Sequence, residues 1–212
     1  MIKNYKLQII NIEKGITIVE IAVVIFIVAL LSVILISDFP KIQRQMALSR
    51  VTYKLAQDLR KTQDFGLSGV QVNDAAGNPV KAKGYGIYID LISSTKKYVM
   101  YADVADISGN SDQKYSNGSS YPLCSGQTNP TSDCAVEVID ISQQNPNLYI
   151  KQISINGSTS NSTSINFSPP NPTVNIENLS SGNSVGIILG LSADSSAIRT
   201  VWVNKAGLIN VQ

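Results

Sequence analysis

The chain has 212 residues, of which 43% are apolar and 15% charged, with a formal net charge of +2. That balance excludes a disordered chain, which needs more charge and less apolar content, and it shows no basic excess of the kind that marks nucleic-acid binding. Histidine is absent and there are two cysteines, so the commonest general base and metal ligand is missing and a structural zinc site lacks its ligands. No nucleophile–base arrangement is visible, so no enzyme activity and no cofactor are expected.

The apolar residues are unevenly placed. From Ile16 to Ile36 runs ITIVEIAVVIFIVALLSVILI, in which only Thr17, Glu20 and Ser32 are not apolar. Outside this run the apolar share falls to about 39%, ordinary for a soluble domain. At a rise of ~1.5 Å per residue the run reaches ~31 Å, the thickness of a bilayer's hydrocarbon core. A secretory signal peptide has a shorter apolar region followed by a small-x-small cleavage site. Here the run passes instead into Ser37-Asp38-Phe39-Pro40, and it reads as a retained membrane helix. Glu20 is its one charge. A carboxylate in a bilayer costs ~2.5–3.5 kcal/mol at the centre, so it either snorkels to the headgroups or finds a cation.

Upstream lies a short leader with Lys3, Lys6 and Lys14, ending at Gly15. Lys14-Gly15-Ile16-Thr17-Ile18-Val19-Glu20 followed by a long apolar helix resembles the processing site of type IV prepilins and pseudopilins. The resemblance implies cleavage after Gly15 by a membrane-embedded prepilin peptidase and N-methylation of the new amino terminus, Ile16. It gives Glu20 a role in assembly, where its carboxylate can neutralise an amino terminus within a filament. The family most often has Phe at the first mature position, and the aliphatic Ile16 departs from that. Basic residues flank both ends of the run (Lys41, Arg44, Arg50 and Lys54 follow it), so the positive-inside rule does not orient it. The resemblance places the C-terminal part outside the cytoplasmic membrane.

Pro40 removes a helix hydrogen bond and is expected to kink or briefly break the helix. Beyond it Leu48, Val51, Leu55, Leu59 and Thr62 recur at three- and four-residue spacing, while Arg50, Lys54, Gln57, Asp58 and Lys61 occupy the other faces. That pattern predicts an amphipathic helix laying one stripe on a domain, with Gly66 and Gly69 marking its end. Residues 41–61 carry six basic side chains against Asp58, a positive collar that suits lipid phosphates, acidic neighbours or plain solvent. The stretch Leu55–Gln63 resembles the helix of H-type minor pseudopilins and related minor pilins.

From about Val70 the pattern turns to strands. Tyr85–Leu91 and Lys97–Asp103 suggest a hairpin. Ala135–Ile141, Leu148–Ile155, Thr163–Phe167, Thr173–Ile176, Val185–Leu191, Ile198–Val203 and Leu208–Val211 follow, the last two flanking a turn at Asn204-Lys205-Ala206-Gly207. Pro169, Pro170 and Pro172 interrupt the strands around them. Nine short strands after one long helix predict an α+β fold, the helix packed on an antiparallel sheet or sandwich head. Their order resembles the H-type pseudopilin head, so the expected fold is pilin-like. Its parts are a cleaved cytoplasmic leader (1–15), a transmembrane helix (16–37), an amphipathic extension (38–69) and an extracytoplasmic β-rich head (70–212).

Two polar stretches, Ile107–Asp133 and Asn156–Ser164, read as exposed loops. Cys124 and Cys134 bracket the end of the first, where they either close a small disulfide loop in an oxidising compartment or stay as free thiols. Asp103, Asp106, Asn110 and Asp112 offer oxygen ligands for calcium, which some pseudopilins bind, but not at EF-hand spacing, so they read as solvated loop acids and no metal is expected. Residues 65–212 hold eight basic and ten acidic side chains, which speaks against DNA as a partner. The resemblance implies a structural subunit, of the minor kind, of a type IV pilus or type II secretion pseudopilus. Its partners would be other pilin or pseudopilin subunits, the prepilin peptidase, an inner-membrane assembly platform and membrane lipid. The alternative is a filament-tip or membrane-anchored binding module contacting DNA, a surface or a secreted substrate.

Overall fold

A computed structural model describes residues 15–105, 108–169, 173–179 and 182–212. The chain divides into two compact units, Met1–Ile42 and Gln43–Gln212. One helix, α1 (Ile18–Ser68), runs through both. The fold class is α+β: α1 is followed by ten strands among the described residues, arranged as two antiparallel sheets.

In the first unit, α1 contains a segment long and apolar enough to cross a membrane, and none of that segment is buried. Its large side chains, from Ile18 through Ile36, all stand exposed. α1 stays helical through Pro40, so of the kink or brief break expected there, the break does not occur. Proline withdraws one donor from the ladder, and the turns on either side keep the helix going.

In the second unit, α1 buries Leu48, Val51, Leu55, Ala56 and Leu59. These fall on one side of a 3.6-residue helix, as the spacing predicts. Thr52 and Thr62 share that side and bond back to the carbonyls of Leu48 and Asp58 at 2.7 and 2.6 Å, so their hydroxyls are satisfied. Asp58, expected on the polar face, is buried at the edge of the apolar arc. It accepts a hydrogen bond from Tyr98 Oη at 2.5 Å and pairs with Lys54 at 2.8 Å. A buried carboxylate demands such partners. The helix ends at Ser68, with Gly69 at φ +63° donating back to Phe65 O, a left-handed glycine cap.

The first sheet has the order β3-β2-β1-β6-β7, from β1 (Ala82–Asp90), β2 (Lys97–Val104), β3 (Cys134–Asp140), β6 (Ser162–Ser168) and β7 (Thr173–Ile176). The second has the order β10-β9-β8-β4-β5, from β4 (Leu148–Ile155), β5 (Ser158–Ser160), β8 (Ser184–Leu191), β9 (Asp194–Asn204) and β10 (Ile209–Val211). All nine expected strands are present, and both expected hairpins pair antiparallel. The tenth, β5, lies in a stretch expected to be loop. Asn156 and Gly157 both have positive φ, the Asn-Gly turn of a two-residue hairpin, and they fold β5 back onto β4.

One apolar core joins α1 to both sheets. It contains Leu55 and Leu59, Ile87 and Met100 from the first sheet, and Ile153, Ile187 and Val203 from the second. Fully burying such a side chain stabilises by ~1.5–3 kcal/mol. Polar ties fix the helix in place: Arg60 and Gln63 donate to the carbonyls of Ile209 and Gly207. Gly66, expected as part of the helix end, lies within α1 instead, and a Cβ there would strike the Phe167 backbone of β6. In an exposed helix interior, Gly→Ala stabilises by ~1 kcal/mol. At this contact Gly66→Ala is expected to destabilise by about 1–3 kcal/mol, read as a lower midpoint in denaturant unfolding.

Candidate functional site

The residues ahead of α1 form an exposed approach to the helix. Gly15, Ile16 and Thr17 are non-helical, Ile16 is 76% exposed, and no heavy atom lies within 4 Å of a Cβ built on Gly15. The Gly15–Ile16 peptide bond is therefore open on the described side. Lys3, Lys6 and Lys14 lie outside the described residues.

Glu20 has a local, uncharged partner in Thr17. Thr17 N–H and Thr17 Oγ1 both donate to Glu20 Oε2, at 2.8 and 2.9 Å, and Glu20 N–H donates to Thr17 Oγ1 at 3.2 Å. This is a capping box. The residue before the helix and the third residue within it satisfy each other's backbone donors. The signal, Thr17-x-x-Glu20, was available in the sequence, and Thr17 is the functional residue that sequence reasoning passed over. The carboxylate also sits in the first turn, where the partial positive charge of the helix end favours it. Glu20 thus has a structural task in the isolated chain, and any role between chains is added to it.

The second group of candidate residues lies on the long excursion between β2 and β3. Cys124 and Cys134 are joined, with Cα atoms 4.9 Å apart. Cys124 opens a short 3-10 turn, Cys124–Gly126, and Cys134 is the first residue of β3. The bond holds the excursion beside β3, helped by Ala135 N–H donating to Pro122 O at 2.7 Å. Both cysteines are buried with Val80, Tyr85, Ala102 and Val104.

The excursion is not uniformly solvated, contrary to the expectation from its composition. It carries Tyr115 into a cluster with Tyr88, Tyr101 and Tyr121, at ring-centroid distances of 4.9, 5.2 and 6.2 Å. Tyr115 Oη donates to Ser120 O at 2.6 Å, and its N–H donates to Ser164 Oγ at 3.0 Å. Burial, with the Asp90 charge added, pushes the Tyr88 hydroxyl up to about 12. These tyrosines stay neutral and serve as packing. Asp133, which ends the excursion, is also buried. Asp103 is buried rather than solvated, while Asp112 is exposed and Asp106 lies outside the described residues.

Compared with family models, curated proteins and solved structures, the chain gives no match.

Removing the disulfide isolates its contribution. On the chain-entropy estimate, a loop of this length contributes about 3 kcal/mol. The double variant Cys124→Ser/Cys134→Ser is expected to lose that much in oxidising denaturant titrations, while the wild type loses the same amount on addition of reductant.

Proposed function

We propose that the chain is a structural subunit, of the minor H-type kind, of a type IV pilus or type II secretion pseudopilus. The observation that supports this reading is the sequence of features around Glu20. An exposed, non-helical Gly15–Ile16 bond is followed at once by a capped helix, and the helix continues as an apolar segment that no described residue covers. A peptidase needs an extended, accessible substrate at the scissile bond, and the helix behind it must survive the cut. A cap made by Thr17 and Glu20 lies wholly on the retained side.

In this reading the leader is removed on the cytoplasmic side and the helix stays in the inner membrane with the head extracytoplasmic. Cleavage frees the amino group of Ile16, next to the capping threonine. The leader takes three lysines and Glu13 with it, so the mature side chains are formally neutral. Assembly then draws the apolar helix out of lipid and bundles it with the helices of neighbouring subunits. Apolar side chains that need a bilayer in the single chain find one another in the filament. Glu20 would supply the charge that neutralises an incoming amino terminus, since a carboxylate in such a bundle requires a cation. The function is assembly, served by the peptidase and an inner-membrane platform, without catalysis by this chain.

Mass spectrometry of the membrane-extracted protein tests the proposal. An amino terminus at Ile16 carrying one added methyl group is expected. A chain that retains Met1, or one cut downstream of Glu20, contradicts it.

A further inference from the structure

The two sheets differ in what lies on their outer faces. On the first sheet that face is roofed by the β2–β3 excursion, which lays Tyr115 against Tyr88 and Tyr101. On the second, Val185, Ile187 and Leu189 of β8 point into the core, so Gly186, Ile188 and Gly190 face outward. Their outward neighbours have no such cover. Tyr149, Ile188, Ile198 and Trp202 belong to none of the apolar clusters among the described residues, and Ile198 is 47% exposed.

Strand register places two aromatic rings on this bare face. Trp202 stands opposite Gly186, and a Cβ on that glycine would lie 2.8 Å from the indole. Tyr149 stands opposite Gly190, where a Cβ would lie 3.5 Å from the phenol ring. Each ring therefore leans across β8 over a residue without a side chain. The two glycines are four residues apart, ~13 Å along the strand. Between them runs the cross-strand row Thr200, Ile188 and Gln152. Among the described residues the Thr200 hydroxyl, the Gln152 amide, the Trp202 indole N–H and the Tyr149 hydroxyl have no hydrogen-bond partner. Ser154 and Ile198 complete the three rows, and no charged side chain occurs in them.

We propose that this face binds a neutral polysaccharide, a flat pyranose chain of the cellulose kind laid along β8 from Trp202 to Tyr149. The face of an aromatic ring carries partial negative charge, and an equatorially linked pyranose presents C–H groups, positive at hydrogen, on both broad sides. One sugar stacks on each ring. Sugar hydroxyls both donate and accept, as do the Gln152 amide and the Thr200 hydroxyl between the rings. Charge selects among the possible ligands. A nucleic acid or an anionic lipid surface draws its affinity from Lys and Arg contacts to phosphate, and these rows offer none. A second copy of the chain would have to bury Gln152 and Thr200 with every polar atom paired, whereas a sugar chain brings hydroxyls to both. The proposal stands on the second unit alone and is independent of the filament reading.

Trp202 is the chain's one tryptophan, so its fluorescence reports on this face directly. The test is titration of the full-length protein, in micelles of a detergent without a sugar headgroup, with cellohexaose and with its curved, α-linked isomer maltohexaose. Cellohexaose is expected to shift the emission saturably, with a dissociation constant of ~1 mM or tighter, and equally at ~50 and ~200 mM salt. Tyr149→Ala should weaken binding about fivefold while keeping the tryptophan reporter. Gln152→Ala should weaken it too, and keeps the test valid if Tyr149→Ala fails to fold. No emission change at ~5 mM cellohexaose, maltohexaose bound equally tightly, or binding unchanged in Gln152→Ala would overturn the assignment. So would an emission shift that follows protein concentration without sugar, which would make the face a contact between copies.

Discussion

The stripe Leu48, Val51, Leu55 and Leu59 places one side of α1 in the same apolar core as both sheets, and the rest of the second unit is organised around that contact. The polar ties follow from the same constraint. Asp58 meets Tyr98 on β2, Gly66 lets the backbone of β6 approach, and Arg60 and Gln63 reach the β9–β10 hairpin. Helix propensity is a minor term here, because most of a helix's stability in a protein comes from the apolar face it packs.

The same helix begins in a segment to which that logic does not apply. Between Ile18 and Ile36 every side chain except Glu20 and Ser32 is apolar, and no described residue buries the segment. A helix that is hydrophobic all round belongs in lipid or among other helices. Thr17 and Glu20 solve a separate problem at its start, where the first backbone N–H groups have no partner within the helix. In the second unit, the β2–β3 excursion holds its shape by a disulfide, a tyrosine cluster and the contacts of Asp133. Few regular backbone hydrogen bonds are available to it, so cross-links and buried side chains take their place.

Much of this arrangement was legible in the sequence. Alternation of β-branched and aromatic residues located nine strands, and the spacing of apolar residues located the buried side of α1. The misreadings share a physical origin. Asp58 and Gly66 were judged by residue type, yet each is explained by a partner distant in sequence, Tyr98 or Phe167. Ser158–Ser160 has the composition of a loop, and only the Asn156-Gly157 turn marks it as an edge strand. Asp103 has the look of a solvated loop acid, yet it is buried together with Asp133. The pairing of β2 with β3 brings the two together, which local spacing does not encode.

Glu20 is proposed to act between chains through its charge, beyond capping its own helix. Glu20→Gln separates the two roles, because glutamine at the third helical position can still complete a capping box but cannot neutralise an amino terminus. The decisive measurement is the amount of this chain in filaments sheared from cells, compared with the amount retained in the membrane. Glu20→Gln is expected to be processed at Gly15, to remain in the membrane and to be absent from the filaments. Incorporation of Glu20→Gln at the wild-type level would contradict it and reduce Glu20 to a helix cap.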